Sequence, residues 1–260
     1  ENKDNIDFDG KNLILAQARF LRAYYYFELV KFFGDIPIII DERLGVEQVT
    51  ALPRSPKTEV YSQIESDLTY AVDNLSVTTL TKGKATKGAA QSLLGKVYLF
   101  QEKWNEAAEM FDLVINSGQY GLFNDYATLF LVDNEGCNET IFDVEYSGLE
   151  GGSYGCLICL EGNAGPGFQG IRQYNGPGYG DGNSYNLPTQ NLYDAFETND
   201  LRRSATCLDI DAFIATQPNA ASITYAEGGG GHTGYYNNKY IKRQAEIGFP
   251  DNDLTSPVNY

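Results

Sequence analysis

Aromatic residues alternate with small polar residues between positions 148 and 186. An aromatic ring stacks on the apolar face of a sugar, and Asn, Asp and Arg side chains form paired hydrogen bonds with its hydroxyl groups. We therefore expect a ligand-contacting loop here. Its candidate residues are Tyr174, Tyr179, Tyr185, Arg172, Asn175, Asp181 and Asn183. A long irregular segment is also typical of a solvated or partner-contacting loop, and the residue pattern does not separate these alternatives.

Motifs for catalysis or redox chemistry are weak. Residues 165–170 have the letters of a dinucleotide-binding fingerprint, but no hydrophobic strand precedes them and no helical pattern follows. Cys156 and Cys159 have the spacing of a redox or metal motif, yet a single pair with apolar residues between them favours buried thiols or a local disulfide. His232 is the single histidine of the chain, which excludes a two-histidine metal site.

Two acidic turns carry the hard oxygen ligands that calcium prefers. They are formed by Asp133, Asn134 and Glu135, and by Asp251, Asn252 and Asp253. Neither turn follows the twelve-residue calcium-loop pattern, so a solvated turn is the simpler prediction for both. No other cofactor is expected.

The charge balance excludes one class of partner. The chain has 35 acidic and 19 basic residues and a formal net charge of −16. This charge repels phosphate backbones, and the basic residues are not gathered together, so we do not expect nucleic-acid binding. No window contains the roughly eighteen consecutive apolar residues of a membrane-spanning helix. The first nine residues lack signal-peptide features, which fits either a cytoplasmic chain or a processed or shortened one.

Apolar residues recur at helical spacing in the first part of the chain. Four helices are predicted, from Lys11 to Phe33, from about Ser55-Pro56 with Ser55 as the cap, from Thr86 and from Trp104. A second apolar stripe on the first helix predicts that it is covered on two sides. We interpret Trp104 as a packing residue because tryptophan is usually buried. Since no helix of this kind buries its stripe alone, we expect the four to stack in two pairs.

The last two predicted helices carry part of the tetratricopeptide pattern. Leu94, Gly95 and Tyr98 are followed by Ala107 and Phe111 in the register in which two antiparallel helices meet. Small residues at Gly95 and Ala107 permit a close approach, and the rings fill the space beside them. One such repeat is a moderate signal, which the preceding helix pair strengthens.

Composition changes after residue 118, where Gly, Tyr, Asn and Asp become frequent. We therefore predict a mostly α fold with two parts. Residues 1–118 form tetratricopeptide-like helical pairs, and residues 119–260 form an irregular, loop-rich subdomain that carries the ligand surface.

Seven segments, in order along the chain, resemble blocks of the SusD/RagB family. The most recognisable segment runs over residues 18–27 and ends in Phe33-Gly34-Asp35-Ile36-Pro37. The other segments are Arg54-Ser55 with Glu59-Val60-Tyr61 and Asp67-Leu68, and residues 85–99, 104–120, 138–142, 187–197 and 200–203. Together they extend over most of the chain.

The resemblance implies a surface nutrient-binding lipoprotein of a polysaccharide-utilisation system. Such a protein binds an oligosaccharide without catalysis and delivers it to a SusC-like TonB-dependent transporter. The implied location is the outer face of the outer membrane, with a lipid anchor that this chain does not contain. The match begins inside the family's pattern and stops before its final helical repeats, so we expect a fragment. Two alternatives stay open, a glycoside hydrolase and a peptide-binding helical scaffold.

Overall fold

The computed structural model describes residues 10–40, 44–81, 83–146, 165–227 and 232–244. Contacts divide the chain into Glu1–Gly121 and Leu122–Tyr260, which we call unit 1 and unit 2. Unit 1 contains the longer described helices, whereas unit 2 contains short helices and strands joined by irregular segments.

Unit 1 is a set of packed helices. They are α1 (Lys11–Phe33), α2 (Val46–Thr50), α3 (Lys57–Asn74), α4 (Lys87–Leu99) and α5 (Trp104–Ile115). Helix α1 packs on α3, α3 packs on α4, and α4 packs on α5. The prediction of a mostly α fold is confirmed. Of the helices in the described ranges, none combines the length and the apolar character needed to cross a bilayer.

Helix α1 buries one face and exposes another. The buried residues of α1 are Ala16, Phe20, Ala23, Phe27 and Val30, and those of α3 include Val60, Ile64, Leu68 and Ala71. On the second apolar stripe of α1, Leu21, Tyr25 and Leu29 are 45%, 63% and 42% exposed. The expectation that α1 is covered on two sides is therefore wrong for the described residues, because α3 and α4 pack on the other face.

The helix starts follow local hydrogen bonds. The helix predicted from Thr86 is α4, and Thr86 caps it, since its hydroxyl accepts a hydrogen bond from the Ala89 N–H at 3.2 Å. At α3 the expected Ser55 cap is not used, because Ser55 pairs with Ile36 through two backbone hydrogen bonds. The Asp35 carboxylate instead accepts from the Lys57 N–H at 2.8 Å. The chain that follows α1 therefore helps to start α3.

The close approach predicted for the small residues between α4 and α5 is present. A Cβ atom placed on Gly95 would lie 2.7 Å from Phe111 Cε1, so the two helices meet at a distance that only glycine permits. Ala107, on the facing helix, is 1% exposed. The tetratricopeptide register therefore describes the packing of this pair.

Replacing Gly95 with alanine is expected to lower the free energy of unfolding by up to about 2 kcal/mol. Overpacking against Phe111 costs about 1–3 kcal/mol, which exceeds the gain of about 1 kcal/mol in helix propensity. Urea denaturation followed by circular dichroism measures the change. Lys96→Ala, at the exposed adjacent position, is the control. Combining Gly95→Ala with Phe111→Leu should recover part of the loss, and a more stable Gly95→Ala variant would contradict the close approach.

Trp104 does not pack in the interior. Its side chain is 61% exposed at the first position of α5. The interpretation of Trp104 as a packing residue is therefore wrong in the described part of unit 1. The reason is the position of the residue, since Ala107 and Val114 form the buried side of α5.

Unit 2 is organised around one apolar cluster. Its helices are α6 (Gly165–Gln169), α7 (Gln190–Asp194), α8 (Arg202–Thr206) and α9 (Ile210–Ala215), and its strands are β1 (Ile171–Arg172), β2 (Asp181–Gly182), β3 (Cys207–Asp209) and β4 (Tyr235–Asn237). Strand β1 pairs with β2 in parallel, and β3 pairs with β4 antiparallel. The cluster consists of Ile171, Tyr174, Leu208, Ile210, Ile223, Tyr236 and Ile241. The cluster packs together segments that are distant in sequence.

Candidate functional site

A depression of about 470 Å³ lies on unit 2. Small-molecule sites are usually about 300–1,000 Å³, so the volume suits a ligand. The lining residues are Tyr174, Asn175, Gly176, Tyr179, Gly180, Asp181 and Gln244. The structure thus brings together four of the seven residues that the sequence suggested, Tyr174, Asn175, Tyr179 and Asp181.

Two short backbone bridges build the walls of the depression. Asn175 pairs with Thr224, with backbone N···O distances of 2.8 and 3.2 Å. Tyr179 pairs with Arg243, and the adjacent Gly180 N–H donates to the Lys242 carbonyl at 3.0 Å. The segment between the two bridges is therefore anchored at both ends by distant parts of the chain.

Gln244 holds the turn between the bridges. Its Nε2 donates to the Gly176 carbonyl at 3.0 Å, and its Oε1 accepts from the Gly178 N–H at 3.2 Å. A Cβ on Gly176 would lie 2.7 Å from Ile223 Cγ2, so this turn requires glycine. Sequence reasoning missed Gln244, because no local pattern connects it with a turn 66 residues earlier in the chain.

Asn175 and Asp181 present polar groups to the depression. Both side chains are exposed. Within the described residues, the Asn175 amide has no hydrogen-bond partner, and the Asp181 carboxylate accepts one hydrogen bond, from the Gly182 N–H at 2.8 Å. An amide both donates and accepts hydrogen bonds, whereas a carboxylate accepts them. The pair therefore matches a ligand rich in hydroxyl groups.

Tyr179 supplies an aromatic edge. Its ring contacts Phe213 at a centroid distance of 5.0 Å and Tyr174 at 6.4 Å, both edge to face. Burial raises the pKa of the Tyr179 hydroxyl, and the positive charge of Arg243 opposes this rise. The hydroxyl is therefore protonated at neutral pH and is able to donate a hydrogen bond.

Tyr174 lies beneath the depression. It is 7% exposed within the apolar cluster, and its hydroxyl donates to the Pro177 carbonyl at 2.8 Å. The structure corrects the expectation of an exposed stacking ring at this position. The irregular segment has no period from which the direction of a ring can be inferred, and Tyr174 is needed to fill the space beside Ile171 and Ile223.

The other three candidates lie outside the depression lining. Tyr185 is 56% exposed and stacks on Phe168, with ring centroids 6.0 Å apart and an interplanar angle of 16°. The Asn183 N–H donates to the Gly167 carbonyl at 3.1 Å, and the Arg172 N–H donates to Ser184 Oγ at 3.0 Å. The structure therefore divides the seven candidates into four that line the depression and three that do not.

Strained backbone conformations occur in the segment that carries the candidate residues. Gln173, Ser184 and Asn186 have φ angles of 53°, 58° and 55°. Residues other than glycine adopt this left-handed conformation at an energetic cost, and such positions are frequent at binding sites. The sequence contains no signal for it, because the conformation depends on the surrounding contacts.

Where the structure describes them, the remaining chemical motifs add no site. No cluster of three or more His, Cys, Asp or Glu side chains suited to a metal occurs in the described ranges, which include Asp133 and Glu135. Cys207 is buried and free, and burial raises the pKa of its thiol, which makes it a poor nucleophile at neutral pH. Cys156, Cys159 and residues 251–253 lie outside the described residues.

Comparison with known proteins places the chain in a family. Residues 1–99 match the profile of the SusD-like family that is described as "Starch-binding associating with outer membrane". SusD-like protein P2 of Formosa agariphila is 32% identical over 213 residues, which are 80% of this chain and 41% of that protein. The chain belongs to the SusD-like family. The predicted family resemblance is confirmed.

Solved structures of SusD-like proteins share the fold. A laminarin-binding SusD-like protein superposes with a TM-score of 0.85 at 32% identity, covering 98% of this chain and 58% of that one. Surface glycan-binding protein A from Bacteroides fluxus superposes with a TM-score of 0.80 at 27% identity, covering 98% and 53%. The chain spans about half the length of these SusD-like relatives, and the tetratricopeptide-like helical fold is confirmed.

Proposed function

We propose that this SusD-like chain is part of a protein that binds a neutral oligosaccharide and catalyses no reaction. The single observation that carries the proposal is the depression in which Asn175, Tyr179 and Asp181 meet. The similarity to a laminarin-binding protein and to a starch-binding family supports a glucan as the ligand class.

The chemistry of the lining supports a sugar rather than an apolar ligand. Asn175 and Asp181 supply hydrogen-bonding groups that are not fully used within the described residues, and Tyr179 supplies ring surface and a hydroxyl. Neutral sugars combine an apolar ring face with pairs of hydroxyl groups, and such ligands need this mixture of partners. The depression is open to solvent, which suits the end or the side of a chain-like ligand.

Location and partner are part of the same proposal. The whole protein acts at the outer face of the outer membrane, held by a lipid anchor, and transfers its ligand to a SusC-like TonB-dependent transporter. The family description, which names association with the outer membrane, supports the location. The transporter as partner rests on the family resemblance of the sequence segments.

A glycoside hydrolase fits the depression less well. Hydrolysis of a glycosidic bond generally uses two carboxyl groups about 5–10 Å apart. Asp181 is the single carboxylate among the described residues that line the depression. The binding function needs no second carboxylate, which is why we favour it over hydrolysis.

Removing the polar groups of the depression is expected to weaken oligosaccharide binding. Asn175→Ala should lower affinity for laminarihexaose about tenfold, and Asp181→Ala about tenfold to a hundredfold, because hydrogen bonds to a charged group are the stronger ones. Isothermal titration calorimetry measures both values, with maltohexaose titrated in parallel. Reducing ends are assayed after long incubation with each sugar.

Exposed residues of the same types serve as controls. Asn138→Ala and Asp133→Ala, which lie elsewhere in unit 2, should leave affinity unchanged. Equal affinity of the depression variants and the unsubstituted chain would move the site elsewhere. Released reducing ends would indicate the hydrolase instead. Binding that is lost only when the helices of unit 1 are altered would favour the peptide-binding scaffold.

A further inference from the structure

A second group of aromatic and amide side chains lies on the β3–β4 ribbon. Alternate residues of a strand point to opposite faces, so Tyr235 and Asn237 share one face of β4, and Tyr236 points the other way into the apolar cluster. Tyr235 and Asn237 are partly exposed, whereas Tyr236 is fully buried. The outward face of β4 is therefore both aromatic and polar.

Tyr235 is part of a stack. Its ring lies parallel to that of Tyr193, with centroids 4.3 Å apart and an interplanar angle of 19°. The Arg203 guanidinium lies 5.0 Å from the centroid of the Tyr193 ring, and the Tyr235 hydroxyl donates to Gln190 Oε1 at 3.1 Å. These contacts fix both rings in place, which lowers the entropy that would be lost on binding a ligand.

An amide network connects this stack with Tyr185. Gln169 Oε1 accepts hydrogen bonds from Asn237 Nδ2 at 2.5 Å and from Asn186 Nδ2 at 3.3 Å. Asn186 is exposed and follows Tyr185 directly. In the described part of the chain, the carbonyl oxygen and the second N–H of the Asn186 amide have no partner, so they are available to a ligand.

Tyr185 is a largely exposed aromatic residue. Its ring lies nearly parallel to that of Phe168 with centroids 6.0 Å apart, and the side chain is 56% exposed. The residues on either side of it, Ser184 and Asn186, both have left-handed backbone conformations. Two such conformations hold the ring in this orientation although they are unfavourable for these residues. An exposed aromatic residue between two strained positions is typical of binding sites rather than of core packing.

We propose that these residues form a second contact surface for neutral carbohydrate, separate from the depression and resting on the proposed glycan-binding function. This tyrosine–amide surface consists of Gln169, Tyr185, Asn186, Tyr193, Tyr235 and Asn237. None of the six lines the depression. Its six members carry no charged group, and the Arg203 guanidinium packs on Tyr193. Ring faces and amides without a net charge suit a neutral sugar chain rather than an anionic one.

Two contact surfaces on one unit predict a preference for long ligands. A short oligosaccharide occupies one surface at a time, whereas a polysaccharide engages both, so that its second contact forms at a high effective concentration. Loss of one surface should therefore lower the affinity for a polysaccharide by a larger factor than it lowers the affinity for a short oligosaccharide.

Binding of laminarin, soluble starch and laminarihexaose by the full chain tests the inference. Tyr185→Ala and Asn186→Ala remove groups from the tyrosine–amide surface, and the Asn175→Ala/Asp181→Ala double variant removes groups from the depression. Tyr25→Ala, which deletes a similarly exposed tyrosine of α1, is the control. Affinity gels and calorimetry measure binding, and thermal unfolding confirms that each variant is folded.

We expect Tyr185→Ala to weaken binding of the polysaccharide about tenfold, and its effect to multiply with that of the depression variant because the two surfaces are independent. If Tyr185→Ala and Asn186→Ala bind as the unsubstituted chain does while the depression variant loses affinity, the second surface is refuted and the glycan-binding function stands. If the unsubstituted chain binds none of the three glycans, both proposals fail. Loss of binding in the Tyr185 variant alone would support this surface and contradict the depression.

Discussion

Replacing Arg22 with alanine should lower the free energy of unfolding of unit 1 by about 3–5 kcal/mol. Arg22 Nε and Nη2 donate to the two carboxylate oxygens of Asp67, both at 2.7 Å, and Nη1 donates to the Ile40 carbonyl at 3.3 Å. Asp67 is completely buried. The substitution leaves this carboxylate without its cation in the interior, and the loss of its hydration is then not compensated.

Urea denaturation followed by helical circular dichroism measures this change, because the long helices lie in unit 1. Glu28→Gln is the control, since the Glu28–Lys31 ion pair on the same helix is more exposed and contributes little. The double variant Arg22→Leu/Asp67→Leu should lose much less stability than Arg22→Ala, because no charge is then buried alone. A loss below about 1 kcal/mol in Arg22→Ala would show that water reaches Asp67.

Replacing Tyr174 with alanine should destabilise unit 2 by about 3–5 kcal/mol. The side chain is 7% exposed, packs in the apolar cluster and donates a hydrogen bond to the Pro177 carbonyl at 2.8 Å. Its removal creates a cavity beneath the depression and frees the turn above it. Hydrogen exchange detected by mass spectrometry measures the change, as faster exchange in β3 and β4.

Tyr185→Ala is the matched control for this prediction, because it removes the same ring from an exposed position. It should leave hydrogen exchange in β3 and β4 unchanged, with stability within about 0.5 kcal/mol of the unsubstituted chain. Tyr174→Phe keeps the ring and loses one hydrogen bond, so it should cost about 1 kcal/mol. Equal effects of the two alanine substitutions would contradict the distinction between the buried and the exposed tyrosine.

The four predicted helices of unit 1 are present because their signals are local. The apolar spacing between Lys11 and Phe33 repeats at each helical turn, and the Thr86 cap acts on an N–H three residues further along the chain. A helix repeats every 3.6 residues, so the sequence alone shows which face is apolar. It does not show which apolar faces pack against another helix, and for that reason the exposure of Trp104 and of Tyr25 was not predicted.

The candidate site was predictable only in part. Asn175, Tyr179 and Asp181 were chosen for their residue types and their place in an irregular segment, and they do lie together. Gln244 was missed, and of the tyrosine–amide surface only Tyr185 was among the candidates, since the members come from segments distant in sequence. Gln169 and Asn237, for example, are 68 residues apart and joined by one hydrogen bond.

The sequence by itself determined the family, the helical class and the composition of the segment that we propose contacts sugar, because each depends on the order and spacing of neighbouring residues. Only the tertiary structure decided which tyrosines are buried and which are exposed. Tyr174 and Tyr185 have the same chemistry and similar neighbours, yet one fills the apolar cluster and the other packs beside Phe168 and is 56% exposed. The physical reason is that burial is set by contacts with residues far along the chain, such as Ile223 and Tyr236, and an irregular segment has no period that encodes them.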